Sequence, residues 1–378
     1  MTERSDVVVV GAGLMGAATA WSAARRGLSV TVLEQFQPGH PHGSSHGSAR
    51  IVRRGYGDAM YTRLTGRAFE LWREVESDTD TQLLRMMGGL DFGTQRNVAS
   101  VAGHLAAERV EHEVLDAREA EARWPGMRFE GDVVFHPQAG TMDASRAVEA
   151  FLAGAKAHGA QLAFSAPVQA IVPSDDHVQV ELDSGGHVAG RVVVVAAGGW
   201  VDPLLGDLVA LPPLRVVRNE IQHFPRLDPD APPWPSVIHE EPVISVYHLA
   251  GGRDGGPGDD RKLGDHYGGL DTTADSRDGA VSNSRERLID YVRTWLPGLD
   301  PTPRGAATCL YTMTPSEEFL LDRVGQLVVC SPCSGHGAKF APLIGELTAD
   351  LAQGIDRDLP DRFRLATHQL GKIARVSL

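Results

Sequence analysis

The stretch Val7–Glu34, VVVVGAGLMGAATAWSAARRGLSVTVLE, decides the architecture. Four consecutive valines are too short a run for a helix and read as a strand buried on both faces. Gly11-Ala-Gly13-Leu-Met-Gly16 follows at once and opens an alanine-rich helical run to Arg26, which Gly27 stops. Ser29 to Leu33 make a second strand that ends on the acid Glu34. Strand, G-x-G-x-x-G turn, helix, strand and acid together form the dinucleotide-binding pattern in its full βαβ context. Gly11 permits the tight turn, Gly13 lets backbone approach a pyrophosphate, and Gly16 lets helix and strand pack closely, so the phosphates rest on the helix N-terminus. Glu34 is placed to accept from ribose hydroxyls, and an acid there disfavours a 2′-phosphate. Which dinucleotide binds is left open by the pattern itself.

With 378 residues, the chain is long enough for two domains or one large α/β domain. Its net charge of −13 argues against nucleic acid as a partner. No apolar run is long enough to span a membrane. The N-terminal run resembles a signal peptide's apolar core, but Thr2-Glu-Arg-Ser-Asp6 mixes charges and glycines interrupt it, so the expectation is a cytoplasmic protein without a targeting segment. Cys309, Cys330 and Cys333 are too few and too clustered for a disulfide framework.

After Glu34 a long loop, QFQPGHPHGSSHGSARIVRRGYG, has no apolar period, and its charges are all cationic: Arg50, Arg53 and Arg54. A loop of this length inside a compact domain is functional or disordered. Its His40, His42 and His46 have no carboxylate or cysteine beside them, so a loop folded over a cofactor is preferred to a metal site. Tyr61, Leu64, Ala68, Leu71, Trp72 and Val75 recur at helical spacing and read as a core-facing helix. Strands are expected at Leu83–Gly93 and Asp132–His136, and Asp143 caps a further helix. Arg191–Trp200, RVVVVAAGGW, reads as a second buried strand whose small exit, including Gly198, lets backbone approach a cofactor or a neighbouring strand. Leu214 to Tyr247 is strand-like, and Gly251–Arg261 reads as an exposed glycine/aspartate loop. The final third repeats the opening logic with a strand at Gln326–Cys330, the glycine-rich turn Ser334-Gly335-His336-Gly337, and a helix from Lys339 to Gln353.

Elements of the nucleotide-binding type thus stand at the start, middle and end, with sheet-rich stretches between them. The fold class expected is α/β: a Rossmann-like cofactor domain assembled from 1–82, 143–212 and 312–378. A second, α+β substrate domain with a mainly antiparallel sheet is inserted at 83–142 and 213–311.

Cys309-Leu-Tyr-Thr-Met-Thr-Pro-Ser-Glu-Glu-Phe-Leu-Leu-Asp322 and Ser334-Gly-His-Gly-Ala-Lys-Phe340 resemble the monomeric sarcosine oxidase and N-methyltryptophan oxidase group of FAD-dependent amine oxidases. The resemblance runs nearly end to end and includes Gly43–Gly57, Ala196–Trp200 and Lys262-Leu-Gly-Asp-His266. It implies FAD on the fingerprint glycines Gly11, Gly13 and Gly16, on Glu34, Gly198, Gly335 and Gly337, and a thioether from Cys309 to the flavin. By the same resemblance, Arg53 and Lys339 clamp a substrate carboxylate, with Lys339 also counted among the cofactor contacts. His266 and Tyr311 line the pocket with Tyr56 as a further candidate, and His46 and Arg50 contact the ring. Lys262 then lies over the flavin face where oxygen reacts.

Physical chemistry supports such a set independently. A dry pocket holding an amino-acid carboxylate needs fixed cations, and a preorganised ammonium stabilises charge developing on oxygen. Alone, Arg53 reads as a phosphate or surface contact, Lys262 as an exposed lysine and Cys309 as a small buried hydrophobe; the joint pattern raises them together. For Cys330-Ser-Pro-Cys333, two thiols of coincidental spacing are preferred to a redox or zinc pair. Asp265 replaces the tyrosine or lysine expected between Gly264 and His266, and the Gly251–Arg261 loop is longer than the family pattern. Sarcosine and a bulkier or more polar secondary amine are therefore equally open.

The resulting expectation is FAD-dependent oxidation of a secondary amino acid, N-methyl or cyclic, to an imine, with oxygen reduced to hydrogen peroxide by a monomer or small homo-oligomer. The alternatives are a flavin dehydrogenase or a biosynthetic tailoring amine oxidase acting on a larger amine, an NAD-dependent oxidoreductase, and a non-catalytic nucleotide-binding protein.

Overall fold

The valine strand Ser5–Val10 lies inside an eight-stranded sheet, paired in parallel with Val30–Leu33 on one side and His187–Val195 on the other. Gln161–Ala163 and Leu327–Ser331 extend the parallel run outward. Its strands therefore come from the start, middle and end of the chain. Antiparallel Leu320–Val324 and the hairpin Val168–Pro173/Val178–Leu182 complete this sheet. The computed structural model describes residues 4–228, 230–276, 282–356 and 358–369. The termini 1–3 and 370–378, assigned above to the cofactor domain, lie outside the described residues.

Strand periodicity sends Val7 and Val9 to one face and Val8 and Val10 to the other. The first pair packs in a core with Trp21, Trp72, Phe151 and Ile344, under the helices Leu14–Arg25, Ala59–Thr79, Ala144–Ala157 and Ala341–Ala352. The second pair meets Ile171, Val180 and Leu205. Both faces are buried, as the unbroken valine run requires. The fingerprint helix sits unusually close to its neighbours because its contacts are small: a Cβ on Gly16 would fall 1.8 Å from the Gly11 carbonyl oxygen, and one on Gly345 would fall 2.5 Å from that of Ala18. Asp58 caps Ala59–Thr79 by accepting from the Met60 and Tyr61 N–H groups.

A second sheet of nine strands is antiparallel except where Ser236–Glu241 runs parallel to Gly89–Phe92. Its long strand Arg215–Phe224 pairs with Gly305–Met313 along one edge and with Arg261–Asp265 and Leu270–Thr272 along the other. Helix Ser284–Trp295 covers its outer face through Leu288, Tyr291 and Val292. A three-stranded sheet of Arg50–Arg53, Ala139–Met142 and Leu84–Met86 is the third.

Two expectations change. Leu83–Gly93 is not one strand: Leu84–Met86 and Gly89–Phe92 belong to different sheets, and Gly88 turns the chain between them at φ +82°. Nor is the Gly251–Arg261 loop simply exposed. Gly251, Gly255, Asp260 and Arg261 are buried, and Asp254 is tied to Ser48 by Ser48 N–H to Oδ2 (2.6 Å) and by its own N–H to Ser48 Oγ (2.8 Å). Gly252 packs on Ser48 of the 35–49 loop and Gly251 and Gly255 on the Asp260 backbone, so these three serve close approach, while Gly256 is exposed. Among the described residues, no helix is long and apolar enough to cross a membrane.

Candidate active site

A cavity of about 790 Å³ runs from the N-terminus of the fingerprint helix, between the two large sheets, to the buried end of Arg50–Arg53. Gly11, Gly13, Glu34, His46, Arg50, Arg53, Gly198, Lys262, His266, Cys309, Tyr311, Gly335, Gly337 and Lys339 all line it. Of the residues expected at the site, Gly16 and Tyr56 stand behind the wall, Gly16 as the packing contact above.

At the fingerprint end, Gly11 adopts φ +100°, and a Cβ there would meet the Ala196 carbonyl oxygen at 2.6 Å. The turn is thereby closed to any other residue. Ser45 Oγ accepts from the Leu14 N–H at 2.9 Å, so the 35–49 loop caps the helix that Gly13 cannot cap with a side chain. Glu34 accepts from the Ala12 N–H (2.8 Å) through Oε2 and from the Phe36 N–H (3.0 Å) through Oε1. Its carboxylate thus fixes the turn, a role that the strand-end acid pattern did not reveal.

The loop itself has no regular structure and takes its hydrogen bonds from its surroundings. Arg50 donates to the carbonyls of Ser44 (3.2 Å), His46 (2.7 Å) and Ala49 (2.9 Å). Ser44 Oγ donates to the Leu310 carbonyl, and Lys262 Nζ to that of Ala49, at 2.6 and 2.9 Å. His40 and His42 pack at a tilt against Phe36, with ring centroids 4.6 and 4.5 Å away. Arg50 thus acts first as the fastener of the loop.

Cations gather at the other end. Strand Arg50–Arg53 ends with Arg53 buried, its guanidinium 4.1 Å from the Tyr56 ring centroid. Arg53 Nη1 lies 3.7 Å from Asp91 Oδ1, beyond hydrogen-bond reach, and has no hydrogen-bond partner among the described residues. Lys339, in the 3₁₀ turn Ala338–Phe340, donates to Tyr56 Oη (2.9 Å) and to the His336 carbonyl (2.7 Å). Burial, reinforced by Arg53, pushes the Lys339 ammonium well below the usual lysine range. Lys262, on strand Arg261–Asp265, is likewise buried, and its pKa is lowered to about 7 by desolvation and then by Arg50.

His266 and Tyr311 face each other with ring centroids 5.7 Å apart, and Gly335 approaches both so closely that a Cβ would fall 2.6 Å from His266 Cε1. Burial, then Lys339 and Arg53, holds His266 at about 4, a neutral imidazole at neutral pH. Cys309 and Tyr311 lie two residues apart on Gly305–Met313 and so share its cavity face, with Cys309 partly exposed. The three cysteines are free thiols. Cys333 accepts from the Thr312 N–H, and burial raises Cys330 to about 12 and raises Cys333 too, which keeps both protonated and weakly nucleophilic.

Asp265 is turned away from the cavity. It is buried against Arg287 at 3.0 Å, so its departure from the family pattern does not alter the cavity wall directly. The sequence reading missed Tyr247, whose hydroxyl accepts from Tyr311 Oη at 3.3 Å; its place in the alternating strand Ile244–Ala250 was the available signal. It also missed the buried group behind Arg53. There Arg96 donates to Asp91 Oδ1 (2.6 Å) and Glu240 Oε1 (3.1 Å), the second a pair that residues distant in sequence make only in the fold.

The FAD dependent oxidoreductase family model matches residues 6–351. The chain is 34% identical over 368 residues to a monomeric sarcosine oxidase of Streptomyces avermitilis, covering 93% of this chain and 94% of that protein. It is 32% identical to an N-methyl-L-tryptophan oxidase of Shigella dysenteriae, covering 97% and 100%. Among solved structures it is similar to NikD, described as an unusual amino acid oxidase essential for nikkomycin biosynthesis, at TM-score 0.82 and 28% identity over 100% and 99% of the two chains. An L-proline dehydrogenase from P. horikoshii shares the fold, at TM-score 0.82 and 20% identity over 99% and 100%.

Burial holds His266, His136 and His239 at about 4, below the ordinary histidine value of 6.5. The unfolded chain therefore binds more protons between these values. The stability contributed is complete above pH 6.5 and is lost as pH falls toward 4. Urea unfolding between pH 7 and 4 is expected to show a midpoint that drops steeply over this window; a flat profile would contradict the neutral burial of these rings.

Proposed function

We infer that this chain, which belongs to the FAD-dependent oxidoreductase family, oxidises the C–N bond of a secondary amino acid, N-methyl or cyclic, to an imine, with oxygen reduced to hydrogen peroxide. The observation that carries this reading is Arg53: a buried guanidinium short of hydrogen bonds, beside Lys339, in the same cavity as the dinucleotide fingerprint. A buried cation in that state calls for an anion, and a planar carboxylate matches the guanidinium fork.

The residues present fit FAD. The Gly11 turn and the helix N-terminus suit a pyrophosphate, the cavity volume is of the order required, and the small exit Ala196–Gly198 leaves room for a ring system. When bound, FAD supplies the two-electron acceptor. The segments 1–82, 143–212 and 312–378 are read as its domain, and 83–142 with 213–311 as the substrate domain.

The chain's own groups do the rest. Arg53 and Lys339 hold the substrate carboxylate and so set the orientation of the amine. The positive field of these two and Lys262 lowers the pKa of a bound amine and favours its neutral, electron-donating form. His266, Tyr311 and Tyr247 close the pocket against water without adding charge at neutral pH. Lys262, anchored on the Ala49 carbonyl, stabilises negative charge developing on oxygen. Cys309 offers a thiol on the cavity wall for attachment of the flavin. A second reading, a tailoring oxidase for a larger amine, is favoured by the full-length likeness to NikD.

Three measurements test this reading. Acid precipitation of the purified protein is expected to leave yellow colour in the pellet, and Cys309→Ser to move it to the supernatant; a colourless protein removes the flavin assignment altogether. Arg53→Ala and Lys339→Ala are each expected to raise KM for carboxylate substrates by about ten- to a hundredfold, the worth of a charged hydrogen bond, and unchanged KM in both refutes the clamp. Stopped-flow kinetics of Lys262→Met are expected to show reoxidation by oxygen slowed far more than flavin reduction. Equal effects on the two half-reactions remove the oxygen role.

A further inference from the structure

The second sheet presents an apolar and aromatic wall to the cavity through Ile221, Ile238, Tyr247 and Leu249. Glu240 interrupts it. Two residues beyond Ile238 on Ser236–Glu241, it shares the cavity face, while Val237 and His239 point to the opposite core, where His239 Nδ1 is 2.8 Å from Tyr291 Oη. Among the described residues, it is the only carboxylate that the strands of this sheet bring to the cavity.

The side chain is held in place. Oε1 accepts from Arg96 Nη1, and Arg96 is itself buried and locked by its shorter bond to Asp91. Asp91 also faces Arg53 at 3.7 Å, so Glu240 is the second counter-charge of Arg96 and serves it through Oε1 alone. Oε2 has no hydrogen-bond partner among the described residues, and the side chain keeps 18% exposure at the cavity wall. Glu240 also lies within electrostatic range of Arg53, the residue assigned to the substrate carboxylate.

We propose that Glu240 is a specificity determinant whose free carboxylate oxygen receives a cationic N–H donor carried on the substrate side chain, beyond the reacting nitrogen. This assignment rests on the carboxylate-clamp reading above and narrows the substrate class to secondary amino acids with a basic side chain. Its physical basis is an asymmetry. An apolar side chain seated there displaces water from Oε2 and leaves a desolvated acceptor unpaired, whereas an ammonium replaces that water with a charge-assisted bond.

The test uses the holoenzyme and two isosteric pairs that differ only in a terminal methyl or ammonium group. Non-oxidisable (propylthio)acetate and (2-aminoethylthio)acetate are titrated against the flavin absorbance. N-methyl-norvaline and N-methyl-2,4-diaminobutyrate are compared by anaerobic flavin reduction. The ammonium member is expected to be favoured about ten- to a hundredfold in Kd and in kcat/KM. Glu240→Gln, which keeps an acceptor for Arg96, is expected to cut that ratio by about tenfold. A wild-type ratio of one or less, read without any variant, overturns the assignment, as does a ratio unchanged in Glu240→Gln. If both N-methyl amino acids reduce the flavin equally well, Glu240 loses its role and amine oxidation stands. If neither does while the thioether pair still discriminates, amine oxidation falls and Glu240 remains a binding determinant.

Discussion

Removing cations from water is the constraint around which this site is built. Arg53, Arg96, Lys262 and Lys339 are all buried within one region, and each resolves the cost differently. Arg96 is paired with two carboxylates, Lys262 rests on a backbone carbonyl, and Lys339 is shared between a phenol and a carbonyl. Arg53 has a ring face and a carboxylate at 3.7 Å, which leaves it short of hydrogen bonds. Burial first, and then the same positive field, depresses the neighbouring His266 and His336, so these rings carry no charge at neutral pH. Buried cations and neutral imidazoles thus stand side by side in one dry region.

The 35–49 loop turns that arrangement into a coupling between the two large sheets. Its Ser45 caps the fingerprint helix, its Ser44 bonds the Gly305–Met313 strand, its Ala49 carbonyl holds Lys262, and its Ser48 is pinned by Asp254. A segment without regular structure can be buried only if its polar groups find such partners. Here the partners stand at both ends of one cavity. Displacing the loop would disturb both ends.

The βαβ opening, the core-facing helix after Asp58, the second valine strand and the final strand–turn–helix were legible because their periods and glycines are local signals. The Leu83–Gly93 stretch misled, since an apolar run does not reveal that Gly88 redirects the chain into another sheet. The Gly251–Arg261 loop misled for a related reason: glycine marks close backbone approach as readily as exposure. Asp265 and Glu240 show the same limit from two sides. One looked as though it bordered the substrate and faces Arg287; the other carried no motif and stands on the cavity wall.

By itself, the sequence determined a doubly flanked parallel strand, a dinucleotide turn and a family whose motifs name Arg53, Lys262, Cys309 and Lys339. The strand and the turn follow from short-range sterics and residue types, which spacing records, and the four residues from the resemblance to the family. Tertiary structure alone decided which of these groups share a cavity, which are dry, and which already have partners. It set Arg96 between Asp91 and Glu240, 144 residues apart from the latter in the chain, and it aimed Glu240 inward. Burial and pairing depend on long-range register between strands, and no local pattern of residues encodes that register.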